Sequence, residues 1–464
     1  MLGGCAWCMQ RERLWAATAP GLTGTPLISP GCRTSKVRVA RIYLGKPTAP
    51  WPTPAMDIEA ERGSYQASFA EMREAFADVE FTVNALLTDP KEVEEHKADI
   101  LSSDGVLLIH LSMGISGMLG PILACGKPTA LFAAPYSGHE WSGFGDLCKR
   151  PEGAHLECFL TSDRSQLATA VRPFRAIHHL REAKILNVIE RRVDEARLQA
   201  WQAKFGTTFQ TVNRQRVLDA YAAVDPRAAA EEARGWIRRA RKVVEPSRDE
   251  VERSCRLALA FENLMAEENA TVITVDCYGS MYRQLPAFPC IGFVRLNDRG
   301  LGGICESDLS SAMTHVILQG LSGRPGFISD PTVDESTGSI ILAHCLGSTR
   351  MDGPAGKAAP YHLRTIMERQ EGCVPQVWMR RGQTVTQALL GAPDELLYFT
   401  GQIIDTPDTE RGCRTKITVR VDGDVEKLWQ NWTRGLHRVT CYGHWVKDLE
   451  RFCRYKDIKL VHEA

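Results

Sequence analysis

Short apolar runs alternate with helical segments over residues 35–176. The runs of strand length include VRVARIYLG, EFTVNALL, GVLLIHLS and PTALFAAP, and a charged segment near residues 91–100 has helical character. This alternation is typical of βαβ units, in which a parallel sheet carries helices on both faces. Loops at the carboxyl ends of such strands line the ligand crevice, so HLSMGISG and PYSGHEW are candidate site loops.

A second alternating region covers residues 177–350. It contains a predicted helix, DEVERSCRLALAFENLMAEEN, and the predicted strands ATVITVDC, CIGFVRLND and GSIILAHC. A further helix is predicted after Glu306, with Asp308 as its N-cap and Gly323 just past its end. Its apolar residues share one face: Leu309, Ala312, Met313, Val316 and Gly320.

After about Met351 the period changes from helical to two. In RTKITVRV, the residues Ile417, Val419 and Val421 alternate with polar ones, which is typical of an antiparallel sheet with one wet face. The predicted fold class is therefore α/β, with two Rossmann-like domains (35–176 and 177–350) followed by a small antiparallel β-barrel (351–464). In the closing segment we expect a strand, a helix that buries Val446, Leu449 and Phe452, and a last strand.

Charge and cysteine content narrow the classes of function. The 464-residue chain has 56 basic and 56 acidic residues, so nothing favours a nucleic-acid or membrane-surface partner. The sequence contains no apolar run of about 18 residues, which is the length that would predict a membrane span. The 15 cysteines are scattered, as in a reduced cytoplasmic protein. Residues 1–34 are expected to be a disordered extension, with a degraded export leader as the alternative, and no redox role is predicted for Cys5 and Cys8.

Two carboxylates stand out near the helix after Glu306. Glu306 follows the Gly-rich DRGLGGIC, whose glycines would let a ligand approach, and Asp330 is expected in a loop after the apolar GFI. When each carboxylate is considered alone, a structural role is favoured. Glu306 would cap a helix or pair with Arg299, and Asp330 would be a turn residue. Two carboxylates with an imidazole, however, suit Mn²⁺ or Mg²⁺, and the candidate histidines are His344, His437 and His444.

Four segments resemble one known family: GGICESDLSSAMTHVIL, GFISDP, ILAHC and the closing GLHRVTCYGHWVKDLERFCRYKDIKLV. They recur in order and are similar to the L-fucose isomerase and L-arabinose isomerase family over roughly residues 258–464. In that family two α/β domains precede a small β-barrel. The resemblance implies that Glu306, Asp330 and His437 bind Mn²⁺ or another divalent cation. His344 matches a ligand of the arabinose branch and ranks second.

The resemblance also implies an activity. An aldose–ketose isomerase moves a proton between adjacent carbons through an ene-diol, which needs a base, an acid and a cation on the two oxygens. Metal-bound Glu306 and Asp330 would be the acid/base pair, and no nucleotide cofactor is required. A homo-oligomer, a trimer-based hexamer, is implied as well. The sugar is not predicted, because loops outside the metal centre select it.

PYSGHEW offers candidate substrate residues. Trp141 has an aromatic face that suits a sugar ring, and His139 and Glu140 suit hydroxyls. The equally weighted alternative is a buried tryptophan with a hydrogen-bonded histidine. Other functions stay open: an epimerase or another metal-dependent carbohydrate enzyme on the same scaffold, or a sugar-binding protein without turnover. A dinucleotide dehydrogenase is disfavoured, because no GxGxxG follows the first strand.

Overall fold

The computed structural model of the protein describes residues 35–464. The predicted extension over residues 1–34, with Cys5 and Cys8, lies outside the described residues. The described chain divides into two compact units. The first unit holds residues 35–178 with Val446–Ile458, and the second unit holds His179–Trp445 with Lys459–Ala464. Among the described helices, none has the length and apolarity to cross a membrane.

The first unit is built on a parallel five-stranded sheet with the order β2-β1-β3-β4-β5. On β1, Val39 and Tyr43 pack into one hydrophobic cluster, and Ala40 and Ile42 pack into another, so both faces are covered. Its strands are β1 (Val37–Leu44), β2 (Val79–Leu87), β3 (Gly105–His110), β4 (Thr129–Ala133) and β5 (Leu156–Leu160). Its helices are α1 (Ile58–Glu71), α2 (Glu92–Ser102), α3 (Ser116–Leu123), α4 (Trp141–Leu147), α5 (Gln166–Ala170) and α6 (Arg172–Glu182), which runs into the second unit. Short 3₁₀ turns lie at Arg73–Phe76 and Pro151–Gly153.

The second unit contains a parallel four-stranded sheet with the order β10-β9-β6-β7. The strands are β6 (Lys184–Val188), β7 (Thr208–Val212), β8 (Lys242–Val243), β9 (Val272–Val275) and β10 (Gly302–Cys305), of which β8 joins a small separate sheet. The helices are α7 (Glu195–Phe205), α8 (Arg214–Ala223), α9 (Pro226–Arg239), α10 (Arg248–Glu267), α11 (Cys290–Asp298) and α12 (Leu309–Ser322). Helix α12 has the predicted Asp308 N-cap and a left-handed Gly323 at its end.

The rest of the second unit is mainly antiparallel. The strands are β11 (Phe327–Asp334), β12 (Ser339–His344), β13 (Tyr361–Arg364), β14 (Val374–Val377), β15 (Thr384–Ala392), β16 (Glu395–Asp405), β17 (Thr415–Val421), β18 (Arg438–Tyr442) and β19 (Lys459–His462), with helix α13 (Val425–Gln430) and a 3₁₀ turn at Glu335–Thr337. Six strands form a closed antiparallel barrel in the order β15-β18-β11-β12-β17-β16, because β16 pairs back to β15. The predicted parallel α/β sheets and antiparallel barrel are confirmed, whereas the division at residues 176 and 350 stays a prediction.

Three local predictions were wrong. CIGFVRLND forms helix α11 instead of a strand, because a fully buried apolar run does not distinguish the two by period. GSIILAHC provides a barrel strand, β12, instead of a strand of the parallel sheet, because Ile341 and Ala343 on its half-buried face are apolar too and make the run continuous. Asp330 lies inside β11 and pairs with Ala343, and is not in a loop.

The closing helix α14 (Val446–Tyr455) groups with the first unit. Its Leu449 and Phe452 are buried as predicted, whereas Val446 is only half-buried. Within the first unit, the ring of Tyr455 packs against Phe174. The helical period identifies the buried face, but it carries no information about which sheet that face covers.

Candidate metal centre

Glu306 leaves the carboxyl end of β10 in a left-handed conformation. Its φ is 63° and that of Ser307 is 55°, and neither residue is glycine. The turn is held by the Ser307 amide, which donates to Val275 O at 3.1 Å, and by the Ser307 hydroxyl, 2.7 Å from Asn187 Oδ1. Backbone strain of this kind costs about 1–3 kcal/mol per residue and concentrates at functional sites.

The glycines before Glu306 serve packing. A side chain at Gly303 would meet the backbone of Phe293 in α11 at 2.4 Å, and one at Gly302 would meet Val272 at 2.8 Å. The expectation that they let a ligand approach is therefore wrong. They let strand β10 lie against α11 and β9, and this packing positions the turn that carries Glu306.

Barrel strands supply the other three candidates. Asp330 lies in the middle of β11, His344 is the last residue of β12, and His437 comes directly before β18. Strand β11 pairs with β12 on one side and with β18 on the other. The barrel therefore gathers these three side chains, although they are far apart in sequence.

The four side chains are linked by short distances through Glu306 and His437. His344 Nε2 lies 3.6 Å from Glu306 Oε1, and His437 Nε2 lies 3.8 Å from Glu306 Oε2. His437 Nε2 is 3.2 Å from Asp330 Oδ1 without the alignment of a hydrogen bond. The histidines are 2% and 6% exposed, whereas each carboxylate is 32% exposed. The carboxylates thus provide the solvent-facing side of the group.

Several polar atoms of this group have no hydrogen-bond partner. Within the described part of the chain, Asp330 Oδ1, His437 Nε2 and both ring nitrogens of His344 are buried and make no hydrogen bond, although His437 Nε2 and Asp330 Oδ1 face each other as an ion pair. Buried polar groups without partners are rare and each needs an explanation. Ligand atoms of Glu306, His344 and His437 lie within 4.8 Å of one another. Oxygen and nitrogen donors at about 2.0–2.6 Å from one cation span such distances, so these residues fit a divalent ion.

Asp308 fixes the orientation of His437, a role the sequence did not reveal. His437 Nδ1 lies 2.9 Å from Asp308 Oδ2, which leaves Nε2 directed at Glu306 and Asp330. A carboxylate behind a ligand histidine is a recurring feature of metal sites, because it sets the tautomer and raises ligand basicity. Asp308 was predicted only as the N-cap of α12, and it does accept from Ser311 N at 3.0 Å.

The ionisable side chains of this group shift one another's pKa. Burial opposes the charged ring of His437, but Asp308 and Asp330 outweigh it and raise the pKa of His437 to about 10. Burial likewise works against ionisation of Asp330, yet His437 and His344 lower the pKa of that carboxyl. Without a bound cation the imidazolium of His437 offsets part of the negative charge of the carboxylates, so a metal ion would replace a proton there.

The remaining candidates lie elsewhere. His444 follows β18 as an exposed residue and takes part in none of these contacts. His139, Glu140 and Trp141 belong to the first unit; His139 and Glu140 lie between β4 and α4, and Trp141 begins α4. Trp141 is 59% exposed, so the alternative of a buried tryptophan is wrong. The ring of His139 lies 4.1 Å from that of Trp51, and its role toward a substrate stays a prediction.

Glu140 is fully engaged within the first unit. One of its oxygens lies 2.7 Å from His110 Nε2, and the other accepts from the amides of Gly114 at 3.1 Å and Ile115 at 3.3 Å. Burial opposes ionisation, but these partners lower the pKa of Glu140. His110 uses its second nitrogen on the Ser137 hydroxyl at 2.7 Å. This carboxylate joins the loops after β3 and β4.

No family model matches the chain. Two curated relatives are sulfoquinovose isomerases. The one from Alkalicoccus urumqiensis is 25% identical over 39% of this chain and 42% of the relative, and that from Clostridium sp. (strain MSTE9) is 24% identical over 42% and 44%. The chain thus spans less than half the length of these relatives. The L-fucose/L-arabinose isomerase family, the hexamer and the cytoplasmic location stay predictions.

Proposed function

We propose that this protein is a metal-dependent aldose–ketose isomerase that acts on a free sugar through an ene-diol. The observation that supports this most is a group of buried ligand-type atoms that make no hydrogen bond to the described residues and lie near Glu306: Asp330 Oδ1, His437 Nε2 and the His344 nitrogens. The names of the two relatives, both sugar isomerases, support the same class of reaction.

Glu306, Asp330 and His437 would hold the cation, with His344 as the fourth protein ligand. When bound, a divalent cation would polarise the two adjacent sugar oxygens and stabilise the negative charge that develops on them. Asp308 keeps His437 Nε2 available as a ligand. The buried histidines exclude water from the inner side of the group, so the sugar approaches from the side of the half-exposed carboxylates.

Glu306 and Asp330 would divide the proton transfers. One carboxylate removes the proton from C2 of the aldose while the other group, which starts as the protonated acid, delivers its proton to O1, which gives the ene-diol. The first then delivers a proton to C1 after exchange with solvent, and the second accepts the proton of O2, which gives the ketose. Both carboxylates end in their starting state, so no further reactant is consumed.

The test is a panel of aldoses incubated in D₂O with Mn²⁺-loaded protein and analysed by NMR after the protein is removed. Sulfoquinovose belongs in the panel because of the relatives' names. We expect one sugar to give its ketose with deuterium next to the carbonyl. A C2-epimeric aldose instead of a ketose would favour an epimerase. Binding of a sugar without conversion or deuterium exchange would favour a non-catalytic sugar-binding protein.

A further inference from the structure

A second group of ligand-type side chains lies in the second unit and is not used by the proposed reaction. It consists of Cys345, Cys413 and Glu368, whose ligand atoms lie within 4.8 Å of one another. Cys345 directly follows strand β12, and Cys413 lies two residues before β17. Pairing of His344 with Thr415 brings these two strand ends together. Both cysteines are free thiols.

The ligand atoms of this group lie within 4.8 Å of one another, close enough for one tetrahedral ion to reach all three. Cys413 Sγ lies 3.2 Å from Glu368 Oε1, and the Tyr278 hydroxyl lies 3.4 Å from Glu368 Oε2 and 3.7 Å from Cys345 Sγ. Ligand atoms around tetrahedral zinc, with Zn–S near 2.3 Å and Zn–O near 2.0–2.2 Å, are about 3.5–3.8 Å apart. An ion could therefore be bound with small side-chain movements.

We propose that Cys345, Cys413 and Glu368 form a second metal site, selective for thiophilic divalent cations such as Zn²⁺. Two thiolates and one carboxylate favour Zn²⁺ over Mn²⁺ or Mg²⁺, which prefer all-oxygen or oxygen–imidazole sites. The fourth position is taken by water that hydrogen-bonds to Tyr278. Glu368 is exposed and Cys345 is buried, so the ion enters from the Glu368 side.

This site differs chemically from the candidate centre formed by Glu306, Asp330, His344 and His437, although His344 and Cys345 are consecutive residues. The two centres would sort metals by ligand softness, thiophilic ions to the cysteines and hard ions to the carboxylates and imidazoles. The inference stands independently of the proposed isomerase activity, because its test measures metal binding alone.

The test uses Co²⁺ as a spectroscopic probe of thiolate ligation in the full-length, reduced protein, with Cys5 and Cys8 replaced by serine in every sample. We expect sulfur-to-cobalt charge-transfer absorption that Zn²⁺ abolishes by displacement. Cys413→Ser should remove this absorption and one equivalent of bound Co²⁺. Cys125→Ser, which alters a partly exposed cysteine outside the group, is the control and should keep both.

Glu368→Gln provides a second variant in case Cys413→Ser does not fold. Because Glu368 is exposed, its replacement should leave the far-ultraviolet circular dichroism unchanged while it weakens Co²⁺ binding at the thiolates by about 10-fold or more. Absence of charge-transfer absorption in the reduced parent would overturn the proposal, as would its persistence in Cys413→Ser. A Cys345–Cys413 disulfide with no metal uptake after reduction would overturn it as well.

Discussion

Each of the two units contains a buried histidine beside a glutamate that follows a parallel strand, but the two arrangements differ in hydrogen bonding. In the first unit, both nitrogens of His110 and both oxygens of Glu140 have partners at 2.7–3.3 Å. In the second unit, neither nitrogen of His344 makes a hydrogen bond within residues 35–464, and His344 Nε2 lies 3.6 Å from Glu306, too far for a hydrogen bond.

The difference separates a structural pair from a binding group. A fully paired carboxylate and imidazole repay the cost of burial by themselves and hold two loops together. Buried nitrogen and oxygen atoms that lie close together without hydrogen bonds are costly unless a bound group supplies the missing interactions. The state of hydrogen bonding therefore distinguishes the two, whereas residue type and position after a strand do not.

The largest effect is expected from the two carboxylates of the candidate centre. Glu306→Gln and Asp330→Asn keep volume but remove charge and basicity, so each should lower turnover by about 10²–10⁴-fold. Turnover would be measured on the sugar found in the panel. Asp334→Asn, at the far end of the same strand as Asp330, is the matched control. Full activity of Glu306→Gln would remove this residue from the mechanism.

Metal binding should stabilise the second unit. A cation that binds only the folded protein raises the free energy of unfolding by about 2.7 kcal/mol at a free concentration 100 times its Kd. Thermal unfolding with and without Mn²⁺ should show this increase in the parent and lose it in His437→Ala. His344→Ala tests the fourth ligand: an unchanged Mn²⁺ response would leave that position to water. An equal response in parent and His437→Ala would contradict the ligand set.

Asp308→Asn separates the two roles of Asp308. Asparagine is a good N-cap, so helix α12 should be retained, but its amide would donate to His437 Nδ1 and move the ring proton to Nε2. The Mn²⁺ affinity should then fall by about 10–100-fold, measured by titration calorimetry. Asp308→Ala should weaken metal binding and also destabilise the helix by about 1 kcal/mol. Unchanged affinity in Asp308→Asn would leave Asp308 with the capping role alone.

Glu140→Gln should affect stability and not metal binding. The substitution removes the charge from the Glu140–His110 pair, and the free energy of unfolding should fall by about 1–3 kcal/mol. Denaturant unfolding measures this change, and Mn²⁺ titration should give an unaltered affinity. An unchanged stability together with a raised KM would instead favour the substrate role predicted from the sequence, and would break the comparison between the two units.

Individual helices and strands were predicted from the sequence more accurately than the elements against which they pair or pack. The period of Leu309–Ser322, with Asp308 and Gly323 at its ends, specified helix α12 because cap and helix signals are local. The apolar run of α11 was mistaken for a strand, since its burial on all sides removes the period. Strand β12 was assigned to the wrong sheet because the strands that pair with it are remote in sequence.

The candidate site shows the same limit. Glu306, Asp330, His344 and His437 were candidates from their position and chemistry, and a family resemblance then ranked them. The structure brings them together, although their function as ligands stays a prediction. The position of Asp330 within a barrel strand and the contact from Asp308 to His437 depend on pairings across many residues. No local pattern signals such contacts.

Crystals of the full-length protein grown with Mn²⁺, measured with X-rays at the manganese absorption edge, test the central claim most directly. We predict one anomalous peak within about 2.0–2.6 Å of Asp330 Oδ1, a Glu306 oxygen and His437 Nε2, with the His437–Asp308 contact retained. A fully ordered group with no peak at saturating Mn²⁺, or a peak bound by other residues, would contradict the account.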